Sequence, residues 1–154
     1  MGKSQLVQRV RQVEVTDPVA AAARYDYADA FELRLPEPDP HAPEAWVRAG
    51  LAGTPQWVDR VAGMLGVRGG AAEQADHVEG FRIVESGPDV VRLTASLPLM
   101  HVALIGRRVE PDRRLFTSVL RYRRPGPARL VWRVVGIGHR WAARRLIASK
   151  VSAN

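Results

Sequence analysis

No cysteine occurs anywhere in the 154 residues, which excludes disulfide cross-links, thiolate metal sites and cysteine nucleophiles, and gives no sign of an oxidising compartment. Long apolar runs are also missing. None approaches the ~20 residues of a membrane-spanning helix, and the start, Met1 to Arg9, holds no apolar stretch of signal-peptide length. A cytoplasmic location with no transmembrane segment is therefore expected. Lysine is scarce, two against 21 arginines, a bias that a GC-rich coding sequence accounts for. Hydrophobic residues make up 46% of the chain and charged residues 25%, the balance of a globular protein. One domain spanning 1–154 is expected, with residues 1–16 loosely ordered. A chain of this length buries roughly 68 to 70% of the surface its unfolded form exposes and needs no metal staple to fold.

The net charge of +7 is unevenly placed. Residues 1–106 hold ten basic and 14 acidic side chains, whereas residues 107–154 hold 13 basic and two acidic ones, Glu110 and Asp112. A basic segment of this kind can attract phosphate backbones or anionic lipid. Most of these arginines, however, alternate with apolar residues, as on the wet face of a sheet, and no long Lys/Arg tract occurs.

Asp17-Pro18-Val19-Ala20-Ala21-Ala22-Ala23 reads as a short helical turn with an aspartate cap and proline at its first position. From Tyr27 to Leu35 the residues alternate, with Tyr27, Phe31, Leu33 and Leu35 on one face and Glu32 and Arg34 on the other, which predicts a half-buried strand. The prolines of Leu35 to Pro43 forbid regular structure. Pro43 to about Ala52 then predicts a short helix ended by Gly53, and Thr54-Pro55 starts a second, with Trp57, Val58, Val61, Ala62 and Leu65 as its apolar stripe up to Gly66. Arg68 to Ala72 reads as a flexible link. Strand signals follow over Phe81–Ser86, Val90–Leu97, Met100–Arg108, Leu115–Tyr122 and Leu130–Val135, separated by turns at Gly87-Pro88-Asp89, Glu110-Pro111-Asp112 and Pro125-Gly126-Pro127. Gly136-Ile137-Gly138 leads into a helix expected from about His139 to Ser152. Strands segregated from helices give an α+β fold, in which a curved antiparallel sheet around a closing helix encloses a cavity.

Four segments in this order, Tyr25-Asp26-Tyr27-Ala28-Asp29-Ala30-Phe31, Pro43-Glu44-Ala45-Trp46-Val47-Arg48-Ala49, Pro55-Gln56-Trp57-Val58 and Val134-Val135-Gly136-Ile137-Gly138-His139-Arg140, resemble a bacterial domain-of-unknown-function family. Its members occur alone or fused behind short-chain-dehydrogenase-like domains. The resemblance covers roughly residues 10 to 150 and implies a helix-grip fold of the START, birch-pollen-allergen and polyketide-cyclase (SRPBCC) kind, whose members enclose hydrophobic ligands. It implies no catalytic residues.

Asp29 is the most informative side chain. Strand alternation puts its carboxylate on the apolar face beside Tyr27 and Phe31, where an unpaired charge is costly and a general acid or base is well served; an ion pair with an arginine is the structural alternative. His139, at the start of the expected last helix, shares a face with Ala143, Leu146 and Ile147. There it can shuttle protons or simply bond backbone. His101 and Tyr122, each on an expected strand, are candidates to present a polar tip to a ligand inside an apolar barrel. Gly136-Ile137-Gly138 does not continue to a dinucleotide fingerprint, since the third glycine would fall at Trp141. Amides at that helix start, with Arg140 nearby, can still hold an anionic ligand group. The four histidines have no metal-ligand spacing, and no nucleophile elbow or phosphate-binding loop occurs, so neither metal nor cofactor is expected.

Two functions are open on these grounds. One is binding of a hydrophobic small molecule in an internal cavity, as a carrier or as a cofactor-independent cyclase, dehydratase or isomerase with Asp29 and His139 as acid and base, in a monomer or a homodimer. The other is a non-enzymatic module binding nucleic acid or anionic lipid through Arg107, Arg108, Arg121, Arg123, Arg129, Arg133, Arg144 and Arg145. Few aromatics, chiefly Trp132 and Trp141, interleave with that patch, so no specific nucleic acid partner is expected.

Overall fold

The computed structural model describes residues 2–54, 60, 63, 64 and 76–151. The expected second helix over Thr54–Gly66 lies largely outside them, and the link over Arg68–Ala72 wholly so. Within them the fold is α+β: helices α1 (Lys3–Arg9), α2 (Pro18–Ala22) and α3 (Pro43–Ala52), strands β1 (Arg11–Val13), β2 (Tyr27–Arg34), β3 (His77–Val78), β4 (Phe81–Ser86), β5 (Val90–Ser96), β6 (Met100–Glu110) and β7 (Arg113–Tyr122), and the C-terminal helix α4 (Pro125–Ile147). The strands form one antiparallel sheet in the order β1-β2-β7-β6-β5-β4-β3. Residues 3–13, expected to be loose, instead form α1 and an edge strand paired to β2, and Leu6 and Val10 are buried in the core.

The expected alternation of β2 matches its packing. Tyr27, Asp29, Phe31 and Leu33 face α3 and α4, and the register places Phe31, Phe116, Gly106 and Val91 in one row across four strands. Gly106 is where α3 presses onto the sheet: a Cβ there would stand 2.8 Å from Val47 Cγ2 and 3.0 Å from Trp46 Cη2. The core gathers Phe31, Leu33, Trp46, Leu93, Leu104, Phe116, Leu146 and Ile147 in this layer.

The other face of the sheet is not the simple wet surface its arginines suggested. Ala20 of α2, with Val15 and Val19, packs on Ile105, Val119 and Ala103. Asp17 caps α2 by accepting from the Val19 amide at 2.9 Å, and its fully buried carboxylate also takes a hydrogen bond from Arg107 Nε at 2.7 Å. Arg107 is therefore spent on an internal ion pair. Arg108 likewise bonds Asp89 and the carbonyls of Asp39 and Pro88.

The largest departure from the sequence reading is at the C-terminus. Residues 130–135 are not a strand, and the last helix does not begin at His139: α4 runs unbroken for 23 residues, about 35 Å. Proline at Pro125 fixes the first turn of α4. Leu130-Val131-Trp132-Arg133-Val134-Val135 is rich in β-branched and aromatic residues, and propensity favoured a strand until the helical contacts with the sheet overrode it. Ala128, Gly136, Ala143, Leu146 and Ile147 are the buried side of α4. Gly136, costing roughly 1 kcal/mol in a helix interior, leaves room for the Trp132 indole, whose Nε1 lies 3.2 Å from where a Cβ would be.

Arg114, not singled out by sequence reasoning, locks the end of α4. Its Nη1 donates to the carbonyls of Ile147 at 2.9 Å and Ser149 at 2.8 Å, and its Nε donates to Asp39 Oδ2 at 3.0 Å. The guanidinium also sits over the Trp46 ring, 5.1 Å from its centroid. One cation thus satisfies free carbonyls of a helix terminus and ties them to the proline-rich loop.

Candidate functional site

β2 and α4 build the site together. On the inward face of β2, Tyr27 and Asp29 are two residues apart and therefore side by side. Tyr27 Oη donates to Asp29 Oδ2 at 2.7 Å. From above, α4 lowers His139 until its Nε2 is 3.3 Å from Asp29 Oδ2, and Trp132, seven residues earlier on the same helix side, packs between: its ring is 5.0 Å from both the Tyr27 ring and the His139 ring. Asp29 is 3% exposed, so its carboxylate relies on these two partners rather than on water.

The phenol records this environment. Burial, then the hydrogen bond to and charge of Asp29, push the Tyr27 pKa up to about 12, while Arg140 beside the phenol acts in the opposite direction. Tyr27 is accordingly a hydrogen-bond donor at any physiological pH, and it holds Asp29 as an acceptor. A carboxylate bonded to an imidazole fixes the ring's orientation and tautomer, the arrangement that general acid–base chemistry uses.

The register places Ser118 directly opposite Asp29, and Leu104 and Leu93 next along the same row. The Ser118 hydroxyl and the Trp132 indole nitrogen are both buried without a hydrogen-bond partner. Two unsatisfied polar groups in this neighbourhood are unusual in a folded protein.

Asp29, His139 and Arg140, chosen from sequence, therefore converge around Tyr27. Tyr122 lies on the same face but further along, in the cluster of Leu97, Met100, Leu120 and Ala128. Its phenol pKa is raised, first by burial and then by Asp26, whose Oδ2 accepts from the Tyr122 amide at 2.7 Å. His101 does not join them. It is on the opposite face of the sheet, in a row with Ser96 and Arg121, and its Nδ1 lies 3.0 Å from Ser96 Oγ. The expected anion-binding helix start at Gly136 to Gly138 does not exist, because those residues lie inside α4 with their amides engaged in the helix.

Sequence reasoning missed Tyr27, Ser118 and Trp132. Tyr27 was within reach, since β2 alternation already put it beside Asp29; Ser118 was not, because its place opposite Asp29 is set by the pairing of β2 with β7. Trp132 was not, because a strand assignment gives it no relation to His139, whereas one helix brings them together. Among the described residues no three His, Asp or Glu side chains converge as a metal site, and no helix is long and apolar enough to cross a membrane. No family model, curated protein or solved structure matches the chain.

Proposed function

We propose that the protein binds a hydrophobic small molecule carrying at least one polar group, held against the inward face of the sheet beneath α4. The observation that carries this reading is the buried Tyr27–Asp29–His139 network with the unpartnered Ser118 hydroxyl and Trp132 indole beside it, in surroundings otherwise lined by Leu93, Leu104 and Phe31. A ligand carbonyl or hydroxyl would satisfy those donors, and its apolar body would meet the aliphatic rows. The topology is compatible with the helix-grip arrangement that the resemblance implies: the first long strand pairs with the last, the intervening strands follow as hairpins, and the C-terminal helix crosses the face.

Asp29 and His139 would serve such a ligand as acid and base, in a cyclisation, dehydration or isomerisation that needs only proton movement and a preorganised substrate shape. The test is native mass spectrometry of the protein isolated from cells, followed by solvent extraction. An apolar compound bound to the wild type and lost from His139→Ala and Trp132→Ala supports the reading. A wild type that carries nothing, and takes up no apolar probe, refutes it.

A further inference from the structure

α4 has a second face that the sheet does not use. Leu130, Val134, Ile137 and Trp141 recur at spacings of four, three and four, which gathers them into one stripe about 17 Å long. They are 67%, 73%, 67% and 41% exposed. The buried residues of the helix, Ala128, Gly136, Ala143, Leu146 and Ile147, are on the other side, so the stripe points away from the protein. Cations border it. Arg129 and Arg133 are exposed on its flank, and Arg123 and Arg124 are exposed just before the helix begins. Arg145 lies over the Trp141 ring, 4.9 Å from its centroid. No Asp or Glu occurs after Asp112.

We propose that this face of α4 docks on an anionic lipid surface, the helix lying in the plane of the interface with its stripe among the acyl chains and its arginines on the phosphates. The charge pattern selects this occupant. A second copy pairing along the stripe would bring Arg133 and Arg145 against arginines of the facing helix with no carboxylate to neutralise them. Nucleic acid supplies the negative charge but offers nothing to Leu130, Val134 and Ile137 at the centre of the contact. A single acidic helix would cover the stripe and leave Arg123 and Arg124 beyond its end, whereas an anionic plane engages the stripe and the wider basic area together. Tryptophan at the end of the stripe suits the headgroup level. The broader arginine patch read from sequence is thereby narrowed: Arg107 and Arg108 are held in internal ion pairs, and Arg144 donates to the Val10 carbonyl. The stripe is on the opposite side of α4 from Trp132 and His139, so the proposal stands independently of the ligand reading.

Vesicle flotation tests it with the intact chain. The wild type is expected to float with vesicles of phosphatidylcholine and phosphatidylglycerol, to stay behind with phosphatidylcholine alone, and to be released by high salt. V134E/I137E, at exposed positions, abolishes flotation with an unchanged circular dichroism spectrum. R129Q/R133Q weakens binding by about fivefold per arginine, and decides the matter by itself should the first variant misfold. Indifference of the wild type to phosphatidylglycerol overturns the proposal, as does unchanged flotation of a folded V134E/I137E, or a lipid-free dimer that V134E/I137E dissociates.

Discussion

His139 Nε2 lies 3.3 Å from Asp29 Oδ2, although 110 positions separate the two residues in the chain. Each is on the inward side of its own element, and the contact exists because α4 runs unbroken across β2. Tyr27 completes the arrangement from the β2 side, giving the buried carboxylate one donor from its own strand and one from the helix.

Alkaline titration reports on the Tyr27–Asp29 hydrogen bond. Tyr27 is raised from 10.0 to about 12, so the folded protein holds that proton more tightly than the unfolded chain. Its contribution to stability is complete below pH 10 and is lost as the pH rises from about 10 to about 12. Ultraviolet titration of tyrosinate should show a late step near 12 that disappears in Tyr27→Phe and moves to lower pH in Asp29→Asn. A titration unchanged by Tyr27→Phe would contradict the assignment.

At the acid end, Asp39 behaves in the opposite sense. Burial alone would raise its pKa, but hydrogen bonds from Arg114 and from the backbone and ring of His41 outweigh burial and hold it below 3.8. The stabilisation is present above that value and is lost as the pH falls through the depressed folded-state pKa. Asp39→Asn should remove part of the acid dependence of the unfolding midpoint.

Arg114→Ala frees the Ile147 and Ser149 carbonyls and removes from Asp39, in a nearly dry site, the guanidinium that neutralises it, leaving the amide and ring of His41. A loss of about 3 to 5 kcal/mol is expected in denaturant unfolding. Arg114→Lys should recover little of it, because an ammonium cannot reach two carbonyls and a carboxylate in the same fork geometry.

Asp17→Ala removes a helix cap and the partner of Arg107 in one step. Equilibrium unfolding should show a loss of about 3 kcal/mol, more than the ~1 kcal/mol of a cap alone. Should the variant lose no more than a cap, the Asp17–Arg107 pair has no net value.

At Gly50 the α3 backbone lies close against Leu146 of α4. A Cβ there would fall 2.5 Å from Leu146 Cγ and 3.0 Å from the Leu146 Cα and carbonyl oxygen, so backbone as well as side chain must move. Gly50→Ala is expected to cost about 1 to 3 kcal/mol by thermal or denaturant unfolding despite the better helix propensity of alanine.

Particular residues show how far the chain could be read in advance. Alternation over Tyr27 to Leu35 gave the inward face of β2 and placed Asp29 on it, and Pro43 to Ala52 announced α3 through a proline start and a glycine stop. The turns at Gly87-Pro88-Asp89 and Glu110-Pro111-Asp112 sit between the strands they were expected to join. At Leu130–Val135 the same kind of reasoning failed, because Val131, Val134 and Val135 favour a strand while Leu130, Val134 and Ile137 also fit one face of a helix.

The sequence by itself determined the α+β class, the hairpin succession and the inward placement of Asp29, since periodicity, caps and turn residues act within a few positions of one another. Only the tertiary structure decided what covers each face: α4 as one helix, His139 on Asp29, Arg114 on the end of α4, and His101 turned to the far side of the sheet. A face is a local property of the chain, whereas its occupant is chosen by packing between segments whose separation in sequence carries no local signal.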